Sequence, residues 1–225
     1  MNKKRTMLLA IGLAILLVSS AAALFVLMRP KEPIRVACVG DSLTQSTEYP
    51  YDLWMMLGTD GYELRNFGAG STLISLKSET PYMNSSMFQD ALNFQPEIVI
   101  IMLGTNDAQP SVKQYNASFV DDYVALISAF QERSSKPEIW IVLPPPIFSN
   151  QSGKMDPDYF KDTIIPGIKQ AANMTDFPII DAYSALINHP DYFLDGVHPK
   201  SEAARIIADE VYKALTMKNT STMAL

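Results

Sequence analysis

Five short apolar, β-branched runs are spaced along this chain with helix-forming stretches between them, and that alternation constrains the fold more than any other feature. Ile98 to Leu103, reading Ile-Val-Ile-Ile-Met-Leu, is the strongest of the five. A run that is apolar on both faces belongs inside a parallel sheet covered by helices above and below. Ile34 to Val39 reads the same way. Tyr62 to Phe67 is less apolar and is expected nearer an edge, while Glu138 to Leu143 and the short Phe177 to Asp181 complete the set. Between them, Tyr49 to Leu57, Phe88 to Phe94, Phe119 to Phe130 and Ile164 to Ala172 read as helices, the last kinked or restarted at Pro166. A further helix follows His198, with Ala204, Ile207, Ala208, Val211 and Leu215 on one face. The pattern predicts an α/β protein, a three-layer α/β/α arrangement around a doubly wound, five-stranded parallel sheet.

In such a sheet, loops diverge at the carboxyl ends of the strands and leave a crevice where ligands bind. Polar, glycine-rich stretches fall at those ends. Ser42 follows the first strand in Gly40-Asp-Ser-Leu43, Asn66-Phe-Gly-Ala-Gly-Ser71 follows the second, and Gly104-Thr-Asn-Asp107 follows the third. Asp195-Gly-Val-His198 stands just before the last helix. Its spacing lets the Asp195 carboxylate accept a hydrogen bond from Nδ1–H of His198 and leaves Nε2 to accept a proton from a serine. The chain has only two histidines, and the other, His189 in Asn188-His-Pro190, reads as a surface turn. The N–H of Ser42, the Gly70 region and the Asn106 amide are candidate donors to an oxyanion. Each block alone reads equally well as a capped turn; four of them at these loops do not.

Jointly the four blocks resemble the signature blocks of the SGNH, or GDSL, hydrolases over roughly Ile34 to Thr216. The resemblance implies a flavodoxin-like sheet, no metal and no cofactor. It implies Ser42 as nucleophile, His198 as base, Asp195 as its orienting carboxylate, and Ser42, Gly70 and Asn106 as the oxyanion hole. In that family the glycine of the second block usually stands five residues after its asparagine. Here Ser71 holds that place and Gly70 is one short, and because the donor is a backbone N–H either residue can serve. Leu143-Pro-Pro-Pro146 and the phrase Ile101 to Asp107 look more like the carbohydrate acetylesterase branch than the long-chain lipases. The expected activity is ester hydrolysis through an acyl-enzyme, removing O-acetyl groups from carbohydrate. Lysophospholipase or thioesterase action on lipid esters, O-acyl transfer to a sugar, and a non-catalytic binding domain are the alternatives. Asp41, Tyr82, Asp107, Pro145 and Val197 are candidate substrate contacts, with Met83 and Phe148 as further groove residues.

The first 33 residues read differently. Lys3, Lys4 and Arg5 precede Met7 to Met28, an uncharged run of 22 residues, and Arg29, Lys31 and Glu32 follow. A bilayer span needs about 20 apolar residues and a signal peptide roughly 7–15. Ala21-Ala-Ala23 offers a cleavage site, but Leu24 to Met28 stays apolar beyond it, which favours an uncleaved anchor. The expected organisation is a cytoplasmic tail over 1–6, an anchor or signal peptide over 7–28, a linker over 29–33, an extracytoplasmic hydrolase domain over 34–216 and a flexible tail over 217–225. Beyond residue 33 the chain holds 13 Lys and Arg against 23 Asp and Glu, with no basic cluster, which excludes nucleic acid as a partner. The single cysteine, Cys38, lies inside the first strand and reads as a buried hydrophobe, so neither a disulfide nor zinc is expected. Five of the ten asparagines begin Asn-x-Ser/Thr (Asn84, Asn116, Asn150, Asn173 and Asn219), hinting at N-glycosylation on exposed loops.

Overall fold

A computed structural model of the chain describes residues 32–149, 151 and 153–222. The run Met7 to Met28 lies outside these residues, and among the described residues no helix is long and apolar enough to cross a membrane. The described part belongs to one compact unit, Pro33–Leu225, apart from Glu32.

Five strands form one parallel sheet in the order β2-β1-β3-β4-β5. They are β1 Ile34–Gly40, β2 Tyr62–Gly68, β3 Ile98–Met102, β4 Glu138–Val142 and β5 Ile179–Ile180. Register runs Val36 to Ile98 and Gly40 to Met102 between β1 and β3, and Gly40 to Gly68 between β1 and β2, so three strands end nearly level. The order reverses direction between β1 and β3, which opens the crevice of a doubly wound sheet at their carboxyl ends. β2 is an edge strand, as its weaker apolar content predicts. β5 is shorter than expected because Pro178 precedes it and Asp181 turns outward to cap the following helix through the N–H of Ser184.

Side chains alternate across the central strands and feed two separate cores. Ala37, Val39, Val99, Ile101, Ile139 and Ile141 face one layer. There they meet α3 Ser86–Asn93, α4 Phe119–Gln131 and α6 Ile165–Thr175, through residues such as Phe88, Phe130 and Ile168. Val36, Cys38, Ile100, Met102 and Val142 face the other. That side is covered by α2 Tyr49–Leu57, α7 Ala182–Leu186 and α8 Ser201–Thr222, whose Ala204, Ile207, Ala208, Val211 and Leu215 form the expected stripe. Ile100 and Ile101 are both 0% exposed, and truncating either to alanine is expected to cost about 2–5 kcal/mol. Burial pushes the Cys38 thiol up to about 12, so it is an inert core group, as its position predicts.

Four local elements differ from expectation. α3 starts at Ser86, ahead of Phe88, because the Ser85 hydroxyl caps the N–H of Phe88 at 3.1 Å. The helix holding Pro166 begins earlier, as α5 Pro157–Tyr159, and passes through a π-helical turn Phe160–Ile164 before α6. That turn accommodates the proline's missing donor at the head of α6. Residues Pro110–Ser118, for which the sequence suggests no element, form a run of 3₁₀ turns. The final helix continues through Thr222, past the Met217 where a tail was expected.

Candidate active site

The serine block does not stay a loop. Ser42 is the first residue of α1 Ser42–Gln45, a single helical turn directly after β1. Asp41 caps it, its Oδ1 accepting the N–H of Leu43 at 2.9 Å. Leu43 and Thr44 are buried, and Asn66 Nδ2 donates to Thr44 O at 2.7 Å, tying the turn to β2. The turn presses on the strand ends so closely that a Cβ on Gly68 would run into the backbone of Gln45. Glycine at this place in the second block is therefore a packing requirement. Ser42 itself is left partly exposed at the switch point, with an N–H that a first helical turn leaves unbonded.

His198 arrives from the opposite end of the domain. Its Nε2 lies 3.2 Å from Ser42 Oγ, and its Nδ1 lies 2.8 Å from Asp195 Oδ2. An ionised carboxylate only accepts, so it holds the proton on Nδ1 and leaves Nε2 as an acceptor for the serine hydroxyl. Asp195 is oriented in turn by the N–H groups of Val197 (3.0 Å) and His198 (2.8 Å) on Oδ1. Partial burial works to raise its carboxyl, but those N–H donors and the imidazole outweigh it and hold it at about 2. The loop itself is pinned: Phe148 N–H donates to Gly196 O at 2.7 Å, and Leu194 N–H to His198 O at 2.9 Å. Gly196 takes φ 82° and packs against Ser149, a place no larger residue fits.

Asn106 follows β3 in a short 3₁₀ turn, Asn106–Ala108. One of its amide hydrogens goes to Thr72 O at 3.1 Å, and its Oδ1 accepts Gln109 Nε2 at 3.3 Å, which orients the group and leaves one hydrogen to donate. Ser42, Asn106, His198 and Val197 line a cavity of about 430 Å³, together with Ser71 and, on its border, Lys154. Gly70 does not line it. The N–H of Gly70 is taken by Gln45 Oε1 at 3.0 Å, whereas Ser71 stands at the cavity with φ 62°, the left-handed conformation that glycine favours. Of the two residues left open by the sequence, Ser71 lines the cavity and Gly70, its N–H already engaged, does not.

Among the five candidate substrate contacts only Val197 reaches the cavity. Asp41 and Asp107 are 0% exposed, Tyr82 is 1% exposed and Pro145 is buried, so a substrate-contact role for these four does not fit the structure. Asp41, Tyr82 and Asp107 have positioning roles instead. Tyr82 hydroxyl donates to Phe67 O at 2.7 Å, holding the end of β2. Asp107 accepts the N–H groups of Ile74 (3.0 Å) and Ser75 (3.2 Å), which fixes the segment after the second block against the third. Burial raises the Asp41 carboxyl to about 6 and that of Asp107 to about 7, with the hydrogen bonds they accept pulling the other way. Met83 is half-buried against the core, and Phe148 packs on Phe193 with ring centres 5.0 Å apart.

Three contributors escaped the sequence reading: Gln45, Gln109 and Asn116. Polar residues flanking a recognised block were the only available signal for the first two. Asn116 Nδ2 donates to Asp107 O at 2.7 Å and its Oδ1 accepts the Ser75 hydroxyl at 2.6 Å. Both amide atoms are engaged, so Asn116 is not an available glycan acceptor in the folded chain; Asn84 and Asn173 are exposed. Asn150 lies outside the described residues, and nothing is described of the Asn219 side chain. Among the described residues no group of three or more His, Cys, Asp or Glu side chains is placed to hold a metal ion.

A serine, a histidine and a carboxylate in relay at the switch point of a doubly wound α/β sheet have the arrangement of a nucleophilic serine with its base and orienting acid. The chain belongs to the GDSL-like Lipase/Acylhydrolase family, whose model matches residues 38–206. It is 33% identical to an acetylxylan esterase of Xylanibacter ruminicola, over 83% of this chain but only 44% of that protein, so it spans less than half of that relative's length. Its fold is that of the acetyl xylan esterase AlAXEase (TM-score 0.63, 24% identity, 80% of this chain and 99% of the other). It is equally that of Est24, a carbohydrate acetylesterase from Sinorhizobium meliloti (TM-score 0.65, 21% identity, 82% and 99%).

Proposed function

We propose that this protein removes short O-acyl groups, acetyl above all, from carbohydrate through a covalent acyl-enzyme. The observation that carries the reading is the unbroken line from Ser42 Oγ through His198 to Asp195, opening into a small cleft. Ser42 Oγ attacks the ester carbonyl and passes its proton to His198 Nε2, while Asp195 stabilises the imidazolium that forms. The carbonyl oxygen becomes an oxyanion, met by the Ser42 N–H, the Ser71 N–H and the free hydrogen of Asn106. Collapse breaks the bond to the alcohol, which leaves with the proton from Nε2. Water, deprotonated by the same nitrogen, then attacks the acyl-serine and releases the acid. The likeness to an acetylxylan esterase supports carbohydrate as the alcohol part.

The site of action is proposed to be outside the cytoplasm, anchored by Met7 to Met28, an uncharged run long enough to span a bilayer. Protease added to intact cells is expected to degrade the catalytic domain; protection would reverse the orientation. The catalytic reading is tested with Ser42→Ala, measured on p-nitrophenyl acetate and on acetylated xylan. Loss of both activities in a protein that still melts cooperatively is the expected result, and turnover near that of the unaltered protein would remove the reading.

A further inference from the structure

A second cavity of about 380 Å³ adjoins the cleft, and Ser71, Gln109 and Ser111 line both. Two segments without sheet or α-helix build it: the return from Ser71 to Thr80 after β2, and the 3₁₀ run Pro110–Ser118. Its lining mixes an aromatic ring and aliphatic groups, Tyr115, Val112 and Leu73, with the polar Glu79 and Thr80. Among the described residues neither the Glu79 carboxylate nor the Tyr115 hydroxyl has a recorded hydrogen-bond or ion-pair partner. Solvent-facing polar groups without protein partners, in a concave site beside an aromatic ring, are free to take up a ligand.

We propose that this second cavity is a subsite for a neutral sugar ring adjacent to the one bearing the ester, so that the preferred substrate is an oligosaccharide ester. This rests on the carbohydrate reading above. A pyranose presents C–H faces and a rim of hydroxyls, which suit an aromatic and aliphatic wall with a carboxylate and a hydroxyl at its edge. Among the described residues the one charged side chain in the lining, Glu79, is acidic, which disfavours phosphate headgroups and sulfated chains.

The subsite is also wired to the chemistry. Thr80 hydroxyl donates to Ser71 O at 3.1 Å, and Gln109 lies one hydrogen bond from Asn106. A ring seated there touches residues that hold both oxyanion donors outside α1. Binding energy gained at a remote ring is then available to the transition state, so longer substrates should gain in kcat as well as in KM.

The test compares acetylated xylotetraose, acetylated xylose and p-nitrophenyl acetate on the full chain and on Glu79→Gln, Tyr115→Ala and Tyr115→Phe. Glu79→Gln and Tyr115→Ala should lower kcat/KM for the tetraose ester about tenfold, the worth of one good polar or stacking contact, and leave p-nitrophenyl acetate within about twofold. Tyr115→Phe, which keeps the ring and loses the hydroxyl, should lose less of the tetraose activity than Tyr115→Ala, while unchanged p-nitrophenyl acetate turnover in both excludes misfolding. Equal losses on all three esters, or none on the tetraose, would overturn the subsite. If only p-nitrophenyl acetate is hydrolysed, the carbohydrate reading fails separately. Calorimetry of unacetylated xylotetraose with Ser42→Ala then decides: binding abolished by Tyr115→Ala supports the subsite, and no binding ends it.

Discussion

Asp195 holds His198 at two points at once, through Oδ2 on the ring Nδ1 at 2.8 Å and through Oδ1 on the backbone N–H at 2.8 Å. One carboxylate therefore sets both the position of the residue and the tautomer of its ring. Asp195→Asn is expected to lower kcat by roughly 10⁴ with little change in KM, because an amide can hold the ring in place yet favours the wrong tautomer. Steady-state kinetics on p-nitrophenyl acetate checks this; a loss below about tenfold would mean that His198 does not need its carboxylate.

Asn106→Ala removes the free amide hydrogen aimed at the cleft. It should lower kcat by about 10²–10³ while KM moves little, since the bond strengthens only as the oxyanion forms. The same change also releases Thr72 O. A rise in KM at constant kcat would instead assign Asn106 to binding the ground state.

The cleft is small, about 430 Å³, and bordered by polar residues such as Ser71, Gln109 and Ser111. Among the described residues its apolar side chains are Pro110, Met155 and Val197, short of the wall a fatty chain would need. Each additional CH₂ that stays in water forgoes about 0.8 kcal/mol of burial, so kcat/KM should not rise from p-nitrophenyl acetate to butyrate, octanoate and palmitate. A steady rise along that series would point to lipid esters.

Stability should depend on pH through two buried acids. The carboxyls of Asp41 and Asp107, raised to about 6 and about 7 from an ordinary 3.8, bind protons more tightly folded than unfolded. Ionising them costs stability, a cost absent below about pH 4 and complete above about pH 7. Asp195 acts oppositely: held at about 2, it contributes stability above about pH 4 that is lost as pH falls through 2. Tm followed by circular dichroism should climb as pH drops from 8 to about 5 and fall again below about 4. Asp107→Asn should flatten the climb, and a Tm that increases from pH 5 to 8 would contradict the assignment.

The sheet was legible because its central strands are buried on both sides, and so carry unbroken apolar runs such as Ile98 to Met102. The relay was legible because Asp195 and His198 are close in sequence and only two histidines compete. What stayed hidden depends on contacts between distant loops. Gln45 takes the N–H of Gly70 across 25 positions, so that donor is spent within the protein. Asp107, read as a substrate contact from its place beside Asn106, reaches back 33 positions to Ile74 and is sealed from solvent. No local pattern encodes either pairing. The 3₁₀ run Pro110–Ser118 lacks the 3.6-residue periodicity by which longer helices announce themselves.

Ser42 and His198 meet across 156 positions of chain, at opposite ends of the folding unit. The histidine's loop runs straight into the last helix, Ser201–Thr222, whose apolar stripe must dock on the layer containing α2 before that loop is held. A nascent chain on the ribosome therefore carries an inert serine until synthesis has passed this helix. The proposed ester cleavage can begin only when the domain is whole, and a proteolytic cut that frees the helix would silence it without touching the nucleophile.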